Sequence, residues 1–459
     1  MDLLHTQPTQ QREMATSHSV NSEDGLHRLS SANKIVSFWQ ICFRLIEVTG
    51  NILFHACRLG VRLLLLRTGK RQTSRQALIG ETLAELCDSL GATFIKIGQI
   101  LSTRCDLLPL ELVKPLVRLQ DCTRPFAFRS VPTLIKAEFG RSLPDIFAMF
   151  EEHPVSSASV ASVYRARLHN GRSVAVKIRR PGITRKVRND LRIMRLIAHG
   201  LARLPAMRLV PVVDMINELG TLIEQQLDFR LEAMNNTQFQ AHFAQTPLIQ
   251  IPELIEEYCS EAVLTMEFIE GLTRIDSLDG EETEYQEALL TALKALYAMI
   301  FLNGFIHCDM HPGNLYFFKG GRVVLLDMGF VATLAHDDRY LFGRFFFDIA
   351  TNSGRDCARI LYETSSYQSP AFNRAAFDQA IIDLIRRSSG SKAADFQVAT
   401  FASQLFDIQR RFGLRGSNNF TMAILSLLVF EGIAKQVYPH LDFQSEARPF
   451  LLKALLRNA

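Results

Sequence analysis

Apolar positions recur along this chain with two periods, and the switch between them divides it. Spacing is helical and amphipathic from residue 35 to about 66, and a second helical stretch over about 77–90 is carried by Leu78, Leu83, Leu86 and Leu90. Gly91 permits a turn before Phe94, Ile97 and Leu101 resume the period. After Pro132 the pattern changes: apolar runs over 162–168 and 173–178 flank His169-Asn170-Gly171, a turn signal between two strands. Helical spacing returns over 183–202 and 215–243, a strand is expected over 262–269 before the break at Gly271, and 285–302 reads as a long helix. A polar loop follows over 307–314, where Pro312 and Gly313 exclude regular helix. Two short apolar segments, 315–318 and 323–326, then flank the turn Lys319-Gly320-Gly321. Helices are expected in the remainder, including 342–350, 376–387 and 421–435.

The simplest architecture is α+β and bilobal. Residues 1–33, rich in Gln, Ser, Thr, His and Asn, form a disordered leader. A helical extension (34–130), a small mixed lobe (131–270) and a larger helical lobe (271–459) come next, with the cleft between the lobes as the expected ligand site.

Composition adds modest constraints. Hydrophobic residues make up 47% of the 459 and charged residues 21%, enough to bury a sizeable core. The net charge of +4 decides no partner, but residues 44–75 carry seven Arg or Lys against Glu47 alone. That segment is a candidate for an anionic membrane surface or for a helix packed on the rest of the protein. No basic and aromatic module points to nucleic acid. The eight cysteines lie apart without a CxxC pair, as cytosolic thiols do, and no secretory leader is evident. The strongest apolar stretches, 61–66 and 420–430, fall short of the roughly 20 residues a spanning helix needs. The expectation is a cytoplasmic protein, peripheral on a membrane where it meets one, with no transmembrane segment.

Two separate segments carry candidate chemistry. In Val174-Ala175-Val176-Lys177, strand alternation puts Ala175 and Lys177 on one face, leaving room for a flat ligand beneath a lysine that reaches phosphate oxygens. In the loop His307-Cys308-Asp309-Met310-His311-Pro312-Gly313-Asn314, Asp309 and Asn314 are five residues apart; Asp327 follows an apolar strand and precedes Gly329. Phosphoryl transfer uses such carboxylates as the base or as magnesium ligands. Each residue alone has a plain alternative as a turn cap or loop hydrogen-bonder; the set together points to phosphoryl chemistry.

Over roughly residues 75–459 the sequence resembles the UbiB family of atypical protein-kinase-like proteins. Lys96-Ile97-Gly98-Gln99 is similar to the family's KxGQ signature, continued by Ser102, Arg104, Asp106 and Pro109. Ser156-Ser157-Ala158-Ser159-Val160 is similar to its alanine-rich phosphate loop, and Gln226-Leu227-Asp228-Phe229 with Glu232-Ala233-Met234-Asn235 to its acidic helix motif. The resemblance implies a bilobal protein-kinase-like fold that binds ATP or ADP with Mg2+. It makes Asp309 the catalytic aspartate, pairs Lys177 with Glu232, and gives Asn314 and Asp327 to the metal. Ser156, Ser157, Ala158 and Ser159 would cover the phosphates, and Met266 and Ile269 would flank the adenine. Lys96, Gly98, Gln99 and Asp228 would be regulatory. It further implies slow ATP hydrolysis or small-molecule phosphoryl transfer in ubiquinone or other isoprenoid-lipid synthesis, with an isoprenoid-lipid substrate or activator and lipid-biosynthesis proteins as partners. The chain ends at Ala459 without the C-terminal transmembrane pair of some members, so membrane contact is expected through the N-terminal helices or a partner complex. Departures are Gln226 for an acidic residue, Ser156 and Ser157 for alanine, Ser162 for glutamine and Met328 for phenylalanine. A non-catalytic nucleotide-binding scaffold and a conventional protein kinase remain as alternatives.

Overall fold

A computed structural model describes residues 39, 41–66, 74–120, 125–203, 212–275, 283–318, 321–389 and 397–456. The leader over 1–33, Cys122 and the basic residues Arg67, Lys70 and Arg71 lie outside the described residues. The N-terminal helices are α1 (Ile41–Leu66), α2 (Arg75–Leu90), α3 (Ala92–Ser102) and the short α4 (Leu110–Val113), which continues into a 3-10 segment, Lys114–Gln120. Helix α3 packs closely on that segment, and Gly98 makes this approach feasible. A Cβ there would stand 2.3 Å from Leu119 Cδ1, and Leu119 is itself buried.

The small lobe contains α5 (Val131–Phe139), α6 (Leu143–Ile146) and the strands β1 (Phe147–Phe150), β2 (Ser156–Ser157), β3 (Ala161–Leu168) and β4 (Ser173–Arg179). Helices α7 (Ile183–Leu201), α8 (Val212–Gln225) and α9 (Phe229–Phe243) precede β5 (Ile249–Gln250) and β6 (Val263–Glu267). Strands run in the order β1-β3-β4-β6, with β2 paired to β3. The hairpin expected around Gly171 forms in antiparallel register, Val163 opposite Lys177, with Gly171 at φ 86°, a backbone conformation that costs glycine little. Val174, Val176 and Ile178 enter one core with Val131 and Ile135 of α5, leaving Ala175 and Lys177 on the other face. The continuous helical stretch expected over 215–243 is instead two helices. Asp228 breaks it, because its side chain accepts the Arg230 N–H and so caps α9.

The larger lobe starts with β7 (Thr273–Arg274) and α10 (Thr283–Tyr297), whose last turn widens into a π-helical segment, Ala298–Asn303. Next come β8 (Phe305–His307), β9 (Leu315–Phe318), β10 (Arg322–Leu325) and β11 (Val331–Thr333). Strand β10 pairs antiparallel with β9 and parallel with β5. The chain continues through α11 (His336–Ala350), α12 (Gly354–Glu363), β12 (Ser365–Gln368), α13 (Arg374–Ser389), α14 (Val398–Phe412), β13 (Leu414–Gly416), α15 (Asn418–Val437) and α16 (Phe443–Leu456). Among these, α14 has no side-chain cap of its own. Glu431 of α15, 1% exposed, accepts the Val398 and Ala399 N–H groups at 2.9 and 2.6 Å and pairs with Lys435. Glu431→Ala strips these charge-assisted bonds from a buried helix start and is expected to cost about 2 to 4 kcal/mol. Urea unfolding measures it, and an unshifted midpoint would show that the cap is energetically idle.

Among the described residues, two helices are long and apolar enough to cross a membrane by length and composition alone, although the apolar stretches were expected to fall short of that length. Asn418–Val437 has mean hydropathy 1.5 and is 72% buried, as a core helix is. Ile41–Leu66 has 26 residues, mean hydropathy 1.2 and only 11% of its apolar window buried. Its charges had masked it, yet they face the protein. Arg44 pairs with Asp190 and Glu47, and Arg58 and Arg62 pair with Glu85. Outward stand Phe43, Ile46, Leu53, Phe54, Val61 and Leu64. The basic segment thus serves helix packing through three of its seven cations.

Candidate functional site

Lys177 is 8% exposed and donates to both oxygens of Glu232 at 2.8 Å. Strand β4 delivers the lysine and the first turn of α9 the glutamate. Asp327 Oδ2 approaches the same ammonium at 3.1 Å, so one buried cation serves two carboxylates. Asp327 stands just past β10 at φ 55°, a strained backbone for a non-glycine residue, and its Oδ1 accepts the Gly329 N–H. Desolvation at the cleft works against ionising Asp327, but the Lys177 and Lys96 cations override it and hold the carboxyl well below its usual range. Burial pushes Glu232 up to about 7, Lys177 opposing and Asp327 assisting. The two carboxylates therefore differ: Asp327 keeps its charge and 44% of its side-chain surface accessible, while Glu232 is enclosed. Burial opposes the charge of Lys177, and Asp327 and Glu232 outweigh it, raising its pKa.

The opposing loop is braced from behind. The Asp309 N–H donates to His307 Nδ1 at 3.1 Å, which leaves the ring proton on Nε2, 3.1 Å from the Leu326 carbonyl. Burial lowers the His307 pKa, keeping the ring neutral in this bridge between the loop and the segment bearing Asp327. Asn314 donates its amide to the Asp309 carbonyl at 2.9 Å, and the Leu326 N–H donates to the Asn314 carbonyl at 2.9 Å. His311 Nδ1 accepts the Gly313 N–H, turning Nε2 toward Asp309 Oδ2 at 3.7 Å.

The phosphate-loop segment is the β2–β3 turn. Ser157 and Ser162 hydroxyls bond each other at 3.0 Å, so these departures from the family pattern serve the turn itself. Ser156 pairs with Val163, and the Ala158 N–H donates to the Ala161 carbonyl. Ser159, 1% exposed, donates to Gln99 Oε1 at 3.1 Å, while Gln99 Nε2 donates to the Leu119 carbonyl. Thus Gln99 of α3 holds the loop, and Lys96, one turn earlier, lies near enough to act on both Glu232 and Asp327. Met266 sits on β6 opposite Ala175, and Ile269 is half-buried after it. Asp228 is spent on Arg230 and the α9 cap, with no bond to Lys96.

Three motif residues to which the sequence gave no role also find one here. Asn235, one turn beyond Glu232, donates to the Met328 carbonyl at 2.9 Å and ties α9 to the Asp327 loop. Its spacing of three from Glu232 was the available signal. Arg104, 1% exposed, holds Asp106 in a two-pronged pair, and Arg410 donates to the Cys105 carbonyl at 2.6 Å, fastening the α3 end to α14.

Magnesium takes oxygen donors and keeps several positions for phosphate and water. An accessible carboxylate at Asp327 and the amide oxygen of Asn314, whose nitrogen is already engaged, suit such an ion as a donor set. No cluster of three or more acidic, His or Cys side chains forms a cage among the described residues.

A strand lysine gripped by the glutamate of a small-lobe helix, facing a loop aspartate of a larger helical lobe, is how protein-kinase-like folds organise their cleft, and this chain is of that class. The model of the ABC1 atypical kinase-like domain matches residues 118–361, and that of the UbiB helical domain residues 381–442. The chain is 33% identical over 380 residues to a probable protein kinase UbiB of Marinobacter nauticus, covering 81% of this chain and 69% of that one. It is 31% identical over 381 residues to the Cellvibrio japonicus protein of the same description, covering 81% and 68%. A solved complex of Mycobacterium tuberculosis Rv3197 with erythromycin shares the fold at TM-score 0.56 and 23% identity, over 77% of this chain and 90% of that one. The chain belongs to the UbiB family of atypical protein-kinase-like proteins.

Proposed function

We propose that this protein binds ATP or ADP with magnesium between its lobes and catalyses phosphoryl transfer or ATP hydrolysis in support of ubiquinone or other isoprenoid-lipid synthesis. The observation that carries the reading is Lys177 held between Glu232 and Asp327. A buried cation so placed is oriented for phosphate oxygens. Met266 and Ile269 would flank the adenine, and the β2–β3 turn would cover the phosphates. Asn314 and Asp327 would hold magnesium, which when bound neutralises phosphate charge. Asp309 would accept the proton of the attacking hydroxyl or water, its carboxylate left at the cleft while its backbone is fixed by His307 and Asn314. Kinship with proteins called UbiB supports the isoprenoid setting. The test is steady-state phosphate release with magnesium and ATP, with and without an isoprenoid lipid. Release that is absent under both conditions, beside intact magnesium-nucleotide binding, would favour a nucleotide-binding scaffold instead.

Contact with a membrane would run through the outward apolar stripe of α1, since Arg44, Arg58 and Arg62 are engaged inward. Flotation with phosphatidylcholine vesicles containing phosphatidylglycerol is therefore expected to survive 0.5 M salt, a condition in which ~4 Å screening suppresses surface charge. It should be lost in the triple variant Phe43→Gln, Phe54→Gln, Leu64→Gln. Flotation lost in salt and kept by the variant would return the role to the basic residues.

A further inference from the structure

Outside the cleft, a cavity of about 540 Å³ opens where α5, the start of α7 and the end of β4 meet. Five arginines line it, Arg179, Arg180, Arg185, Arg188 and Arg192, against one acidic side chain, Glu138. None of Lys177, Glu232, Asp309, Asn314 or Asp327 lines it. Arg179 is spent on the Leu227 carbonyl and on Glu261, and Arg180 lies over the Phe126 ring and reaches the Ala158 carbonyl. The other three differ. Arg185, Arg188 and Arg192 recur along one face of α7 and make no hydrogen bond or ion pair among the described residues. The helix's own aspartate, Asp190, is buried and committed to Arg44.

Like charges three and four residues apart on a helix repel by a few tenths of a kcal/mol (~0.2–0.5) per pair, and nothing on α7 offsets them. The helix start adds to the positive field, since α7 has no side-chain cap and no acidic residue in its first turn. Within that turn the buried Thr184 hydroxyl has no hydrogen-bond partner among the described residues, and Thr184 lines the same cavity. Three forked cations lining one cavity with an unused hydroxyl, at the positive end of a helix, suit a receptor for phosphate oxygens. The volume falls in the range of small-ligand pockets, roughly 300–1,000 Å³, and exceeds what a lone oxyanion fills.

We propose that this cavity is a second, non-catalytic binding site for a phosphate-bearing anion of at least two negative charges, held by Arg185, Arg188, Arg192 and the Thr184 hydroxyl. It is independent of the nucleotide reading of the cleft. The anion is either a free organophosphate or the phosphomonoester headgroup of a lipid, which the same groups would recognise.

The test titrates the full chain with inorganic pyrophosphate by calorimetry, with EDTA present so that magnesium-dependent binding in the cleft is silent. Wild type is expected to bind in a salt-sensitive manner, and Arg185→Ala with Arg188→Ala to bind at least about tenfold more weakly, one charge-assisted contact being worth that much or more. Arg188→Lys, which keeps charge without the fork, should fall between them and guards against loss through misfolding. A second arm floats the same proteins with phosphatidylcholine vesicles containing phosphatidic acid. Arginine-dependent binding of pyrophosphate identifies a free-anion site, and arginine-dependent flotation without pyrophosphate binding identifies a headgroup site. Binding unaffected by the arginines in both arms, or no binding in either, overturns the proposal.

Discussion

Replacing Lys177 by alanine is expected to weaken magnesium-nucleotide binding by about ten- to a hundredfold. The ammonium is buried and already fixed by Glu232, so little ordering remains to oppose a phosphate contact, and a charge-assisted bond of that kind is worth about 1.5 to 3 kcal/mol. The loss also removes the only cation bonded to both Glu232 and Asp327 among the described residues. Left facing Asp327 in a buried setting, Glu232 takes up a proton, and the contact between α9 and β4 loosens. Glu232→Gln separates the two effects. It keeps the lysine and its Asp327 partner, so nucleotide affinity should fall less than in Lys177→Ala. Fluorescent-nucleotide titration on variants with native circular dichroism reads both. Wild-type affinity in folded Lys177→Ala would remove β4 from the nucleotide site.

Asp309 and Asp327 should fail in different ways when changed to asparagine. Asp327 keeps its charge because Lys177 and Lys96 outweigh its desolvation at the cleft, and it is the carboxylate that remains accessible. Its loss is expected to weaken magnesium-dependent nucleotide binding and turnover together, since a metal ligand acts in the ground state as well as in the transition state. Asp309 stands apart from that cation, and its backbone bonds to His307 and Asn314 do not involve its carboxylate. Asp309→Asn is therefore expected to lower turnover by about 100-fold or more, with nucleotide affinity within a few fold, as for general-base loss. Magnesium-nucleotide titration paired with phosphate release distinguishes them. Equal turnover in wild type and Asp309→Asn would leave the protein as a nucleotide-binding scaffold.

Much of this arrangement was legible as pattern. Alternation in 173–178 announced which face of β4 bears Lys177, and the spacing of Asp309, Asn314 and Asp327 announced the loop and the strand after it. Local signals reach that far because a hairpin and a polar loop are built by neighbours in sequence. The parallel pairing of β5 with β10 was not legible, because Ile249–Gln250 is too short to show alternation and its partner lies beyond α10. Nor was the orientation of α1: periodicity shows that a helix has two faces, whereas the pairing of Arg58 and Arg62 with Glu85 decides which turns inward. The break at Asp228 escaped because a cap can sit inside an unbroken apolar rhythm. The arginine-lined cavity was not legible either: helical spacing over 183–202 places Arg185, Arg188 and Arg192 along one helix, whereas the cavity needs β4 and α5 beside it.

The fastening of Cys105 to Arg410 joins residues 305 positions apart. On a ribosome adding about 5 to 20 residues per second, the arginine follows the cysteine by roughly 15 to 60 s. Helices α2 and α3 can meet the 3-10 segment beside them at once, through Cys87, Ile97, Leu116 and Leu119, so the extension has a local core to form while it waits. Its seat on the larger lobe does not yet exist. Assembly can therefore be ordered along the chain: the KxGQ helix has its small-lobe partners, Ser159 and the core residues of α7 and α8, early, and its fastening to the larger lobe waits for α14.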